Sequence, residues 1–112
     1  MKIHTYCTNS GKDLIMEYID TLTELERIDA LSVMECMEKD EFDKVFFKPW
    51  YKKIYEVYFR KHNRIFYIIT DKENIYLLHA CRKQKNKTEQ RDKKIILARA
   101  KELGVLLGKK FI

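Results

Sequence analysis

The sequence predicts an α+β domain built from an N-terminal strand, two helices, a three-stranded antiparallel meander and a C-terminal helix. Three observations carry that prediction. Apolar residues recur at helical spacing through the first third of the chain. Three aromatic and β-branched runs with short polar connections follow. A last stretch of helical periodicity closes the order, and no repeat or linker divides the 112 residues, so residues 1–112 are expected to fold as one domain.

Residues 2–8 contain Ile3, Tyr6 and Cys7 and read as a short first strand. Asn9, Ser10 and Gly11 form a turn and offer a cap. Leu14, Ile15, Tyr18, Ile19 and Leu22 then repeat as one face of a helix. Thr23 and Glu26 have the spacing of a capping box, which starts a second helix. Its apolar side is expected to be Leu25, Ile28, Leu31, Met34 and Met37, with Glu24, Glu26, Asp29, Glu35 and Glu38 mostly facing solvent. Residues 40–50, with the only proline, Pro49, read as a connector. Residues 53–60, 63–70 and 74–81 read as three strands, and their short connections favour antiparallel pairing. The last helix is expected over residues 88–103, with Thr88 as its cap and Gly104 as its stop. Residues 105–112 are apolar and basic and receive no assignment.

Composition excludes several classes. No apolar run approaches the roughly 18 residues that span a bilayer, and the opening MKIHTYCTNSGKD lacks a signal-peptide core. A cytoplasmic protein without a membrane partner is expected. Cys7, Cys36 and Cys81 are odd in number and form no CxxC, which argues for reduced thiols. His4, His62 and His79 have no ligand spacing, so no metal and no other cofactor is expected. No phosphate loop, dinucleotide fingerprint or Ser/His/Asp arrangement is present. Charge is strongly polarised: residues 1–47 carry net −6 and residues 48–112 carry net +12. A basic half of that size suits a polyanion such as nucleic acid, or is simply a solvated lysine-rich surface.

The stretch IYLLHACRKQKNKT, residues 75–88, turns from a buried run into a cationic loop. Strand alternation places Glu56, Tyr58 and Arg60 on one face, with Arg64 beside Arg60 across the turn and His79 near the end of the last strand. With Arg82, Lys83 and Lys85 these residues are expected to converge on one sheet surface. Such a set suits RNA cleavage by the substrate's own 2′-hydroxyl. Lys, Tyr, His or Glu moves protons, and an arginine fork holds the phosphate. Lys53, Lys85, Lys87 and Arg91 would hold the RNA backbone, and Tyr58 can stack on a base. Each residue also has a structural explanation: Glu56 can pair with Arg60 or Lys53, Tyr58 can be half-buried core, and a strand histidine is commonly structural.

These pieces resemble the RelE/ParE toxin superfamily, and within it the phage-derived HigB-type toxins. Those proteins carry an ELR piece, a yRvfY piece and an LLHgFxKK piece before KTP. Tyr55-Glu56-Val57-Tyr58, Asn63-Arg64-Ile65-Phe66-Tyr67 and residues 77–88 (LLHACRKQKNKT) stand in those places. The resemblance implies a small RelE-like fold and a type II toxin that cleaves mRNA on the ribosome. It also implies neutralisation by a cognate helix-turn-helix antitoxin. It implies that Arg64 contacts the scissile phosphate, that Lys83 stabilises charge or the leaving group, and that Lys85 and Lys87 extend the same loop. Three positions depart from the pattern: Tyr58 replaces the ELR arginine, Cys81 the phenylalanine and Glu89 the proline. Arg60 is the expected stand-in for that arginine. On this reading Arg64→Ala or Lys83→Ala ends growth arrest with the fold intact. The alternatives are a ParE-like toxin that binds a protein such as gyrase, and a mobile-element regulator without nuclease activity.

Overall fold

The computed structural model describes residues 1–83 and 88–112. The expected order holds, with one strand more than the sequence suggested. β1 (Lys2–Thr5) leads to α1 (Leu14–Asp20) and α2 (Glu24–Glu38). A 3-10 turn (Phe42–Lys44) precedes β2 (Phe46–Tyr51), β3 (Ile54–Phe59), β4 (Asn63–Ile69), β5 (Asn74–Arg82) and α3 (Gln90–Leu107). The strands form one mixed sheet in the order β1-β5-β4-β3-β2. β2 to β5 run antiparallel, and β1 pairs parallel with β5.

β2 occupies part of what reads in sequence as a connector. Pro49 masks it there, because proline cannot donate to a ladder. The position is tolerated because β2 is an edge strand, where one row of backbone groups needs no partner. The β3–β4 turn places Lys61 and His62 in the left-handed region, at φ 64° and 63°. That is the backbone of a hairpin turn normally built on glycine or asparagine, and neighbouring hydrogen bonds described below hold it.

The two helices before β2 and the one after β5 cover opposite faces of the sheet. Ile15, Ile19, Ala30 and Met37 pack on Val57, Ile65, Tyr67 and Leu77. Ile96, Ala100, Leu103 and Phe111 pack on Ile54, Phe66, Ile68 and Leu78. α1 buries the face its periodicity predicts, and Asp13, not the preceding turn, caps it by accepting from the Ile15 and Met16 amides at 3.1 and 3.0 Å.

α2 departs from expectation. Its capping box forms as predicted, but the helix is rotated. Leu25, Ile28 and Leu31 are 58%, 54% and 50% exposed, whereas Glu26 and Ala30 are buried; Met37 is buried as expected. A buried partner for Glu26 sets that rotation. α3 also departs. It starts at Gln90 and continues past Gly104 to Leu107, stopping at Gly108 with φ 65°. Gly104 serves the returning tail instead: a Cβ there would lie 2.6 Å from the Lys109 carbonyl oxygen. Residues 109–112 thereby reach the core through Phe111. No helix among the described residues is long and apolar enough to cross a membrane.

The rotation of α2 is measurable. Met37→Ala should lower unfolding free energy by about 2–5 kcal/mol, while Ile28→Ala should change it by less than about 0.5 kcal/mol. Urea unfolding reads both; comparable losses would place Ile28 in the core.

Candidate functional site

Strand register decides which candidate residues meet. Tyr58 stands opposite Arg64, and Arg64 stands opposite Cys81. Glu56 stands opposite Phe66, which in turn faces His79. Glu56, Tyr58, Arg64, His79 and Cys81 therefore share the α3 side of the sheet. Arg82 pairs with Asn63 and points to the α2 side. Arg60 lies beyond the end of β3, where the chain has begun its turn, and pairs with Asp29 on α2 at 2.7 Å. The expected single cluster is thus two clusters on opposite faces. Arg60 does not stand in for an arginine at Tyr58, because it leaves the strand before alternation can return it to that face.

The α2-side cluster centres on Glu26, which is 3% exposed. Its Oε1 accepts from Arg82 at 2.8 Å and from Asn63 Nδ2 at 3.2 Å, and its Oε2 accepts from the Thr23 amide at 3.0 Å. Tyr18 donates to Asn63 Oδ1. Arg82 also donates to the Lys61 carbonyl at 2.8 Å, and the Lys83 amide donates to the His62 carbonyl at 2.7 Å. These bonds clamp the left-handed turn to the root of the cationic loop. The Arg82 hydrogen bond, helped by Thr23, holds the Glu26 carboxyl down at about 2.

The α3-side cluster centres on Arg64, which is 3% exposed. Its guanidinium lies 3.5 Å from Glu56 Oε1, an ion pair too long for a good hydrogen bond. It donates to Thr88 Oγ1 at 3.0 Å, and the Trp50 indole donates to the same hydroxyl at 2.9 Å. This explains why Thr88 does not cap α3: its oxygen is already occupied, and Glu89 takes the cap position without a side-chain bond. Phe66 and Tyr58 rings flank the guanidinium at 5.5 and 6.0 Å. Lys48 lies opposite Glu56 on β2, with its ammonium 5.3 Å from the Tyr58 ring centre. Burial pushes the Tyr58 hydroxyl above its ordinary pKa. Among the described residues, Glu56 Oε1, Tyr58 OH and Arg64 Nε are the buried side-chain atoms without a hydrogen-bond partner. A small cavity of about 10 Å³ is lined by Arg64, Cys81, Arg82, Lys83, Thr88, Glu89 and Asp92.

His79 is engaged on both ring nitrogens. Nε2 lies 2.8 Å from Asp92 Oδ1, and Arg99 approaches Nδ1 at 3.4 Å. A carboxylate and a guanidinium in those places select the neutral ring with its proton on Nε2. Burial lowers the His79 pKa, opposed by Asp92. The expected role of His79 as a free proton carrier does not fit this arrangement. Cys81 joins the same pair: one ligand atom from each of His79, Cys81 and Asp92 lies within 4.8 Å of the others. Burial pushes the Cys81 thiol up to about 12.

The remaining candidates separate. Arg91 is exposed in the first turn of α3. Lys83 is half-buried at the end of β5. Lys53 lies at the other end of β3, its amide 3.4 Å from the Phe111 carbonyl, away from Tyr58 and Arg64. Lys85 and Lys87 lie outside the described residues. Sequence reading missed Lys48, Trp50, Thr88 and Asp92 as site residues. Alternation along β2 would have flagged Lys48 and its neighbour Phe46, which is 79% exposed, had that strand been recognised.

A family model described as Phage derived protein Gp49-like matches residues 17–101. The chain belongs to this family. The Gp49-like proteins are of the RelE/ParE toxin type, and the matched span holds both charged clusters, from Glu26 to Asp92. No curated protein matches this Gp49-like chain.

Two outcomes test the clusters. The Glu26 carboxyl lies below its unfolded value of about 4.3, so its stabilisation is complete above that pH and is lost as pH falls toward about 2. Urea midpoints should therefore drop through this acid window, and Glu26→Gln should flatten that part of the drop. For the other cluster, Arg64→Met leaves Glu56 buried and unpaired, a loss of about 3–5 kcal/mol. Adding Glu56→Gln should recover much of that loss. Arg64→Ala is accordingly a stability variant, not a clean activity probe, which corrects the expectation from sequence.

Proposed function

We propose that this Gp49-like protein is the toxin of a type II toxin–antitoxin pair, of the HigB kind, and an endoribonuclease that cuts mRNA on the ribosome. The observation that carries the proposal is the gathering on Glu56, Tyr58 and Arg64 of buried polar atoms that make no hydrogen bond, beside the cations Lys48 and Lys83. Groups left unpaired by the fold are costly, and such strain concentrates where a ligand completes the bonding.

In this proposal the RNA 2′-hydroxyl attacks the adjacent phosphate, and the 5′-oxygen of the next nucleotide leaves. Glu56 or Tyr58 moves the protons, and Arg64 balances charge on the phosphate once Thr88 gives up its hydrogen bond. Lys48 and Lys83 stabilise charge at the reacting phosphate, Arg91 holds a backbone phosphate, and the exposed Phe46 ring offers a stacking surface. His79 positions the start of α3 and transfers no proton to or from the RNA. The partners are the ribosome with its mRNA and a cognate antitoxin, in the cytoplasm. A ParE-like action on a protein such as gyrase is the second reading. The exposed row Leu25, Ile28 and Leu31 on α2 favours it, since exposed apolar surface marks protein contacts.

Cell-free translation with mapping of mRNA 5′ ends, with and without ribosomes, separates the two. Ribosome-dependent cuts are expected, and Lys48→Ala and Lys83→Ala should each reduce them by about 100-fold or more while circular dichroism stays unchanged. Intact mRNA with arrested DNA supercoiling would select the second reading.

A further inference from the structure

We infer that His79, Cys81 and Asp92 form a binding site for zinc that fastens the start of α3 to the end of β5. His79 and Cys81 are two residues apart on one strand and so point to the same side of the sheet. Asp92 sits in the first turn of α3 directly over them, with its carboxylate 2.8 Å from His79 Nε2. The three donor atoms lie within 4.8 Å of one another. Tetrahedral zinc takes nitrogen and oxygen at about 2.0–2.2 Å and sulfur at about 2.3 Å, which sets donor separations near 3.5 Å. Side-chain adjustments of roughly 1 Å therefore suffice. A nitrogen, a sulfur and a carboxylate oxygen select zinc over magnesium or calcium, which take oxygen almost alone. The cavity of about 10 Å³ beside Cys81 and Asp92, also lined by Thr88 and Glu89, is of the size of one water, the fourth ligand such a site would take.

Nearby cations oppose a metal ion, and three of them bear on this site: Arg64, Arg91 and Arg99. The donor set answers that opposition. A thiolate and a carboxylate neutralise the two charges of zinc, so the loaded site is uncharged. On binding, the Cys81 thiol releases its proton to water, and the His79 ring moves its proton from Nε2 to Nδ1. Arg99 then loses its 3.4 Å approach to Nδ1 but keeps the Leu78 carbonyl at 2.9 Å and the Tyr6 ring at 4.3 Å. Because a thiol proton is displaced, affinity rises with pH. The site stands whether or not the protein cleaves RNA.

Cobalt is the probe, because a thiolate–cobalt bond gives a charge-transfer band that histidine and carboxylate do not. The untagged full chain, stripped with chelator, is titrated with cobalt and then with zinc. One cobalt per chain is expected, with the band displaced by zinc and a melting temperature raised by zinc. Cys81→Ser should abolish the band, while Cys7→Ser and Cys36→Ser should keep it. Asp92→Asn preserves shape and a hydrogen-bond partner for His79, and it should weaken cobalt binding by about tenfold or more. Circular dichroism establishes that each variant is folded. A folded parent without the band, a Cys81→Ser chain that keeps it, or unchanged affinity in Asp92→Asn overturns the site.

Discussion

One buried carboxylate organises this molecule. Glu26 is the buried acid of its helix, turned inward to receive Arg82, Asn63 and Thr23. Burying a charge is costly unless its hydrogen bonds are complete, so the helix rotates until they are. That rotation leaves Leu25, Ile28 and Leu31 in solvent and brings Ala30 and Met37 against the sheet. It also places Arg82 under the β3–β4 turn, where it donates to the carbonyl of Lys61 while the Lys83 amide donates to that of His62, the two residues in left-handed backbone. α2, a strained hairpin and the end of β5 thus share one anchor.

The opposite face repeats the theme with a buried cation. Arg64 lies near the Tyr58 and Phe66 rings and is tied to Glu56, while Thr88 joins it to Trp50 and to the segment that enters α3. Here the bonding is incomplete, in contrast to the Glu26 cluster. The two faces differ in consequence: the satisfied network fixes geometry, whereas the other leaves Glu56, Tyr58 and Arg64 with hydrogen-bonding capacity that the proposed RNA substrate would take up. This contrast separates Arg82 and Arg60, which support the fold, from Arg64, Lys48 and Lys83, which face the candidate chemistry.

Much of the fold was legible. The Thr23–Glu26 spacing announced the start of α2, and the β3 to β5 meander followed from aromatic and β-branched runs with short connections. What misled was local plausibility. Pro49 reads as a loop residue until an edge position excuses it, and Gly104 reads as a stop until the tail is seen crossing it. Leu25, Ile28 and Leu31 read as a core face because periodicity reports the spacing of apolar residues. It does not report which face a buried polar contact will claim. The candidate site was legible as a list of residue types but not as a grouping. Arg82 and Cys81 are neighbours in sequence and therefore lie on opposite faces of the sheet, and Lys48 and Asp92 arrive from elements whose approach no local pattern encodes.

The sequence by itself determined the element types, the acidic-to-basic polarity and the cationic end of β5, because propensity, alternation and charge are local properties. Only the tertiary structure decided that Glu26 is an anchor, that Arg64 is enclosed and that His79, Cys81 and Asp92 meet. Those outcomes depend on strand register, helix rotation and the balance of burial against hydrogen bonding, which residues distant in the chain settle together.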